Sequence, residues 1–67
     1  MIVPKKIRDK WKLLKTGGDV SYIAGMLQIS TRNVSRAFNG EPCSDEVFDA
    51  ISEFYKKREE KIKTAAA

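Results

Sequence analysis

Histidine is missing from this chain of 67 residues, and cysteine occurs once, at Cys43. A lone cysteine closes no internal disulfide, and without histidine it has no company at a zinc site. Disulfide-built and zinc-built scaffolds are therefore excluded, and Cys43 reads as a small loop residue. The same shortage removes the usual acid–base and nucleophile constellations. Asp45, Glu46, Asp49 and Glu53 read as the outer surface of a helix rather than a carboxylate pair set for chemistry. The Gly17-Gly18 pair is a turn signal, and no glycine-rich phosphate loop occurs. No apolar run is long enough for a membrane span or a signal peptide. These absences point to a protein that is not an enzyme, needs no cofactor or metal, has no membrane partner and suits a reducing cytoplasm.

What is present is ordinary in amount and uneven in arrangement. Hydrophobic residues make up 42% of the chain, too many for a disordered segment. The length allows one small domain, spanning 1–67, of marginal stability. Residues 1–40 carry eight basic side chains against two acidic ones, a formal +6, whereas residues 41–67 carry five against seven, a formal −2. One part of the surface is thus matched to an anionic partner and another is not.

Periodicity predicts an all-α fold, a small bundle of four to five helices. The first helix spans 4–15, with Pro4 at its first position and Ile7, Trp11 and Leu14 on one face. Its basic remainder admits three readings: plain solvated surface, phosphate contacts, or an anionic membrane surface. Trp11 reads as core. The second helix spans 20–27, capped by Asp19, with Val20, Ile23, Ala24 and Leu27 facing inward. Gln28-Ile29-Ser30 is a turn, Ile29 its apolar plug. The third helix spans 31–38, capped by Ser30 and stopped by Asn39-Gly40. A last helix runs from about 45 to about 62, capped by Ser44, and residues 63–67 are expected to fray. Its stripe of Val47, Phe48, Ile51, Phe54, Tyr55 and Ile62 is mostly core. The distal part, with Tyr55, Arg58 and Ile62, reaches beyond what three short helices can cover, and self-pairing is one outlet for it.

The segment 19–40, DVSYIAGMLQISTRNVSRAFNG, carries the strongest signal. A small residue, Ala24, stands where two helices would cross. Val34, Ala37 and Phe38 form an inward trio on the third helix. At about 100° per residue, Arg32, Arg36 and Asn39 fall on the opposite side, flanked by Asn33 and Ser35. Arginine pairs bidentately with guanine and asparagine with adenine, so this face carries the groups that a helix in a DNA major groove requires.

VSYIAGMLQISTRNVSRAFNG resembles the helix-turn-helix of the phage repressor and Cro class. NVSRAFNG, followed by a proline loop and a capped apolar helix, is similar to lac-repressor-type headpieces. The resemblance covers residues 20 to about 54. It departs at Gln28, where these families often carry glycine, and in the helix count, since the phage repressor fold usually has five helices and four are read here. The resemblance implies that Thr31, Arg32, Asn33 and Arg36 contact bases or nearby phosphates, and that Ser35 faces the groove or a phosphate. It further implies that Ser21 and Tyr22 touch the DNA backbone and that Asn39 anchors a phosphate.

The expectation is a sequence-specific double-stranded-DNA-binding transcriptional regulator of phage or bacterial type, acting as a repressor. It would bind as a homodimer, with the C-terminal helix as one candidate pairing surface and recognition helices about 34 Å apart on a palindromic site. Three readings compete: the polar face as an ordinary solvated surface, the fold as a protein-interaction module without specific DNA binding, and, more weakly because most aromatics read as buried, single-stranded or RNA binding. Steep salt dependence would separate the DNA reading from the interaction module.

Overall fold

The computed structural model describes residues 1–66, with side chains through Lys63. Among the described residues the secondary structure is helical: α1 (Lys5–Leu14), α2 (Asp19–Leu27), α3 (Thr31–Phe38) and α4 (Asp45–Ala66). There are four helices, so the upper end of the expected range falls away. None of them is long and apolar enough to cross a membrane.

The core forms where the apolar faces of three short helices and the longer α4 converge. Val3, Trp11, Ile23, Ala24, Val34, Ala37, Phe38, Val47, Ile51 and Tyr55 are buried. Trp11 is its aromatic centre, with ring centroids 5.6 Å from Phe38, 5.8 Å from Phe48 and 6.2 Å from Tyr55. Edge and tilted contacts of this kind add about 0.5–1.5 kcal/mol per pair beyond the burial of the rings. No single helix is long enough to be stable alone, apart from α4, so this shared core holds the local structure.

The helix ends follow local chemistry, with two corrections. The Ser30 hydroxyl accepts from the Asn33 N–H (3.4 Å) and the Ser44 hydroxyl from the Val47 N–H (3.2 Å), as N-caps do. At the end of α3, Glu41 N–H donates to Arg36 O (3.0 Å) while Gly40 turns left-handed at φ 78°. Pro4 stands one residue ahead of α1 rather than inside it; its carbonyl accepts from Ile7 and Arg8. Asp19 does not cap α2. Gly18, at φ 89°, holds the cap position, and Asp19 is the first helical residue.

Gln28 adopts the conformation that glycine would take, φ 58° and ψ 43°. Ile29 N–H donates to Ala24 O (3.0 Å) and Gln28 N–H to Gly25 O (3.3 Å). That is the paired-bond ending of a Schellman turn, with a glutamine at its left-handed position. The turn tips Ile29 onto the core and leads straight to Ser30, so α3 begins after three residues. Among the helix pairs, α2 and α3 pack most closely.

Asp19 has another task. Its carboxylate accepts from the Thr16 N–H (2.9 Å), the Thr16 hydroxyl (3.0 Å), the buried Tyr55 hydroxyl (3.0 Å) and both terminal nitrogens of Arg58 (2.5 and 3.1 Å). Arg58 also donates to Leu14 O at the end of α1 (3.1 Å). One knot therefore fastens α1, α2 and α4 together. It also corrects the expectation for the distal part of α4. Tyr55 is core and Arg58 is committed to Asp19, so of the three residues set aside for self-pairing only Ile62 is exposed. The expected fraying from residue 63 is replaced by helix to Ala66; residue 67 lies outside the described residues.

The N-terminal segment also ties in, by a contact that periodicity did not reveal. Cys43 N–H donates to Met1 O (2.8 Å), the Met1 ammonium donates to Cys43 O (2.6 Å), and Val3 is fully buried. Arg8 Nε donates to Val3 O (3.1 Å) and lays its guanidinium against Gly40. The loop after α3 is thus pinned by the start of the chain.

Candidate functional site

The third helix separates into two faces for a simple reason. Val34, Ala37 and Phe38 recur at i, i+3 and i+4 and are pulled into the core, which drives the residues between them outward. Thr31, Arg32, Asn33, Arg36 and Asn39 are exposed, and Ser35 is half-buried at the edge. The structure brings these six expected residues onto one short helix with one outward side. Thr31, Arg32 and Asn33 occupy its first turn, where backbone N–H groups lack intrahelical partners and the helix dipole favours negative charge.

Neither arginine is spent inside the molecule. The ion pairs among the described residues join Lys10 to Glu59, Lys57 to Glu53, Arg58 to Asp19 and Lys63 to Glu59. Arg32 and Arg36 take part in none of them. Beside them runs a groove of about 340 Å³ with Leu27, Ile29 and Val47 on its walls and Asn33, Arg36 and Glu46 among its polar groups. The outward face therefore presents two free guanidinium forks, two carboxamides and a hydroxyl next to a partly apolar recess. Such a surface can donate hydrogen bonds and neutralise anionic charge.

Ser21 and Tyr22 lie elsewhere. Both are exposed, near the start of α2, and Tyr22 is 62% accessible. The Tyr22 ring leans on Phe54 of α4 at 5.5 Å between centroids. It belongs to an α2–α4 seam rather than to the patch on α3. Five aromatic rings are buried or half-buried as expected of core residues; Tyr22 is the exposed one.

What orients this surface is the Asp19 knot, which sequence reasoning missed. Burial pushes the Asp19 carboxyl up, but the hydrogen bonds from Arg58, from the Thr16 N–H and hydroxyl, and from Tyr55 outweigh it. The carboxyl is held well below the usual carboxylate range. Burial and the adjoining Asp19 carboxylate push the Tyr55 phenol far up, so it stays a donor. The start of α2 is thereby fixed to α1 and α4 by an ionised group, and α3 follows through a three-residue turn. The one clue in the sequence was an aspartate beside a glycine pair, which reads equally well as a helix cap. Compared with known proteins, the chain matches no family model, no curated protein and no solved structure.

Proposed function

We propose that this chain is a double-stranded-DNA-binding regulator that lays α3 in the major groove through a helix-turn-helix formed by α2, the Gln28–Ser30 turn and α3. The observation that carries the reading is the outward face of α3. Arg32, Asn33, Arg36 and Asn39 are exposed together, and neither arginine has an ion-pair partner among the described residues. A merely solvated helix face commonly carries acidic groups that offset its basic ones, as α4 does; the outward face of α3 has none.

The left-handed Gln28 supports the same reading. It closes α2 and opens α3 within the short span that a helix-turn-helix requires, without the glycine usual there. In this function Arg32, Asn33 and Arg36 read base edges, Thr31 and Ser35 flank them, and Asn39 reaches a phosphate. Ser21 and Tyr22 touch the backbone. The lysines supply the salt-dependent, sequence-blind share of affinity. A homodimer on a palindromic site, acting as a repressor in the cytoplasm, is the arrangement that suits a recognition unit of this size.

Selection of sites from a randomised pool of duplex DNA tests the reading. Enrichment of a palindrome supports a sequence-specific dimer, and enrichment of a single half-site keeps the DNA function and removes the dimer. No enrichment by folded protein overturns the DNA function in favour of a protein-interaction module.

A further inference from the structure

Phe54, Lys57, Arg58 and Lys61 recur at i, i+3, i+4 and i+7, so they form one stripe of α4. The stripe begins apolar and turns basic. It faces Tyr22: these five side chains line a cleft of about 280 Å³ between α2 and α4. Arg58 is spent on Asp19, and its guanidinium is stacked over Phe54 at 4.7 Å. Lys57 and Lys61 are not spent in this way. Both are exposed, and the one ion pair of Lys57 among the described residues, to Glu53, is long (3.8 Å) between side chains that are each more than 70% exposed. Such a pair holds a lysine only weakly. The two ammonium groups stand one helical turn apart and repel each other, a conflict that a shared anion relieves.

We propose that this cleft is a second contact with the sugar–phosphate backbone, in which Lys57 and Lys61 pair with phosphates beside the one that Tyr22 touches. The inference rests on the DNA reading of α3 and extends it, since both lysines lie outside the helix-turn-helix. Three observations combine here. Tyr22 is exposed although aromatic, and it is braced by Phe54. Two lysines share its cleft. The adjoining recess is bounded by Gly17 and Gly18, around which nothing stands within 4 Å of where a side chain would begin, so a bulky backbone meets no obstruction. Under this proposal a duplex that occupies α3 gains a second hold on α4, and that hold reads no sequence.

The test compares wild type with the Lys57→Gln/Lys61→Gln variant on a labelled selected duplex, by salt titration and by phosphate ethylation interference. The variant should keep the same preferred sequence. Its slope of log affinity against log salt should be shallower by about 1.8, so the advantage of the wild type over it shrinks about twelvefold between about 50 and 200 mM salt. Ethylation interference should vanish at phosphates flanking the α3 site and persist within it. Unchanged slope and interference would overturn the second hold and leave the DNA function standing. A changed sequence preference would also overturn it, since the lysines would then be reading bases. A folded wild type that binds no duplex at any salt would overturn both. The two lysines are exposed, and helical circular dichroism of the variant confirms that it is folded.

Discussion

Replacing Asp19 by Asn removes the charge from the knot while keeping its shape. Four donor groups besides one backbone N–H point at two oxygens: the Thr16 hydroxyl, the Tyr55 hydroxyl and two Arg58 nitrogens. An amide offers one oxygen in place of two and sets its own N–H groups against these donors. Hydrogen bonds to charged groups contribute about 1.5–3 kcal/mol each, and breaking a buried pair costs about 3–5 kcal/mol. Arg58 retains 27% exposure and can recover some water, which places the expected loss near the lower bound, about 3 kcal/mol. A chain of this length has a total stability of about 3–10 kcal/mol, so the loss removes a large share of it. Urea denaturation followed by circular dichroism measures it. The pH dependence supplies the sharper check. The folded carboxyl lies below its unfolded value of about 3.9, so its stabilisation is complete above that value and is lost as pH falls through the folded one. The gap between wild type and Asp19→Asn should hold steady near neutral pH and narrow by about 1.4 kcal/mol per pH unit below about 3.9. A loss under about 1 kcal/mol, or a gap indifferent to acid, would refute the assignment of the knot as an ionised fastening.

Three further outcomes are expected. Gln28→Gly should stabilise the fold by about 0.5–1 kcal/mol, because the left-handed strain of about 1–2 kcal/mol is relieved against the flexibility that glycine adds to the unfolded chain; thermal melting should rise by a few degrees. Gly40→Ala should cost about 1–2 kcal/mol in denaturant, since the position is left-handed and a Cβ there would lie 2.8 Å from the Arg8 guanidinium, which would have to move. Arg36→Ala should leave the melting temperature unchanged, cost about 1–3 kcal/mol in affinity for the selected duplex and relax preference at one base position in a repeated selection.

Which features could be read from the chain depends on how local their causes are. Ser30, Ser44 and Gly40 act within five residues, and their roles follow from letters and spacing. The two faces of α3 follow from a period that needs no knowledge of the rest of the fold. Asp19 shows where this stops. An aspartate ahead of an amphipathic run has the same signature whether it caps the helix or meets partners 36 and 39 residues away. Arg58, judged as an exposed distal residue, is the other half of the same ambiguity. The burial of Val3 and the pairing of Met1 with Cys43 were equally invisible, because three residues carry no period. Tyr22 was picked out as a backbone contact by resemblance alone; its bracing by Phe54 required the crossing of α2 and α4 to be seen.

The position of Arg58 also sets a boundary for truncation. Among the described side chains of α4, the last that is buried is Tyr55, and the last that fastens another helix by a buried partner is Arg58. Beyond Arg58, Glu59 pairs with Lys10 of α1 at 3.0 Å on the surface. A stop codon placed just after Glu59 should leave a folded protein, whereas one placed before Arg58 should not. On the proposed phosphate contact of Lys61, the minimal folding unit and the minimal binding unit then differ in length, since Lys61 lies in the stretch that folding can spare.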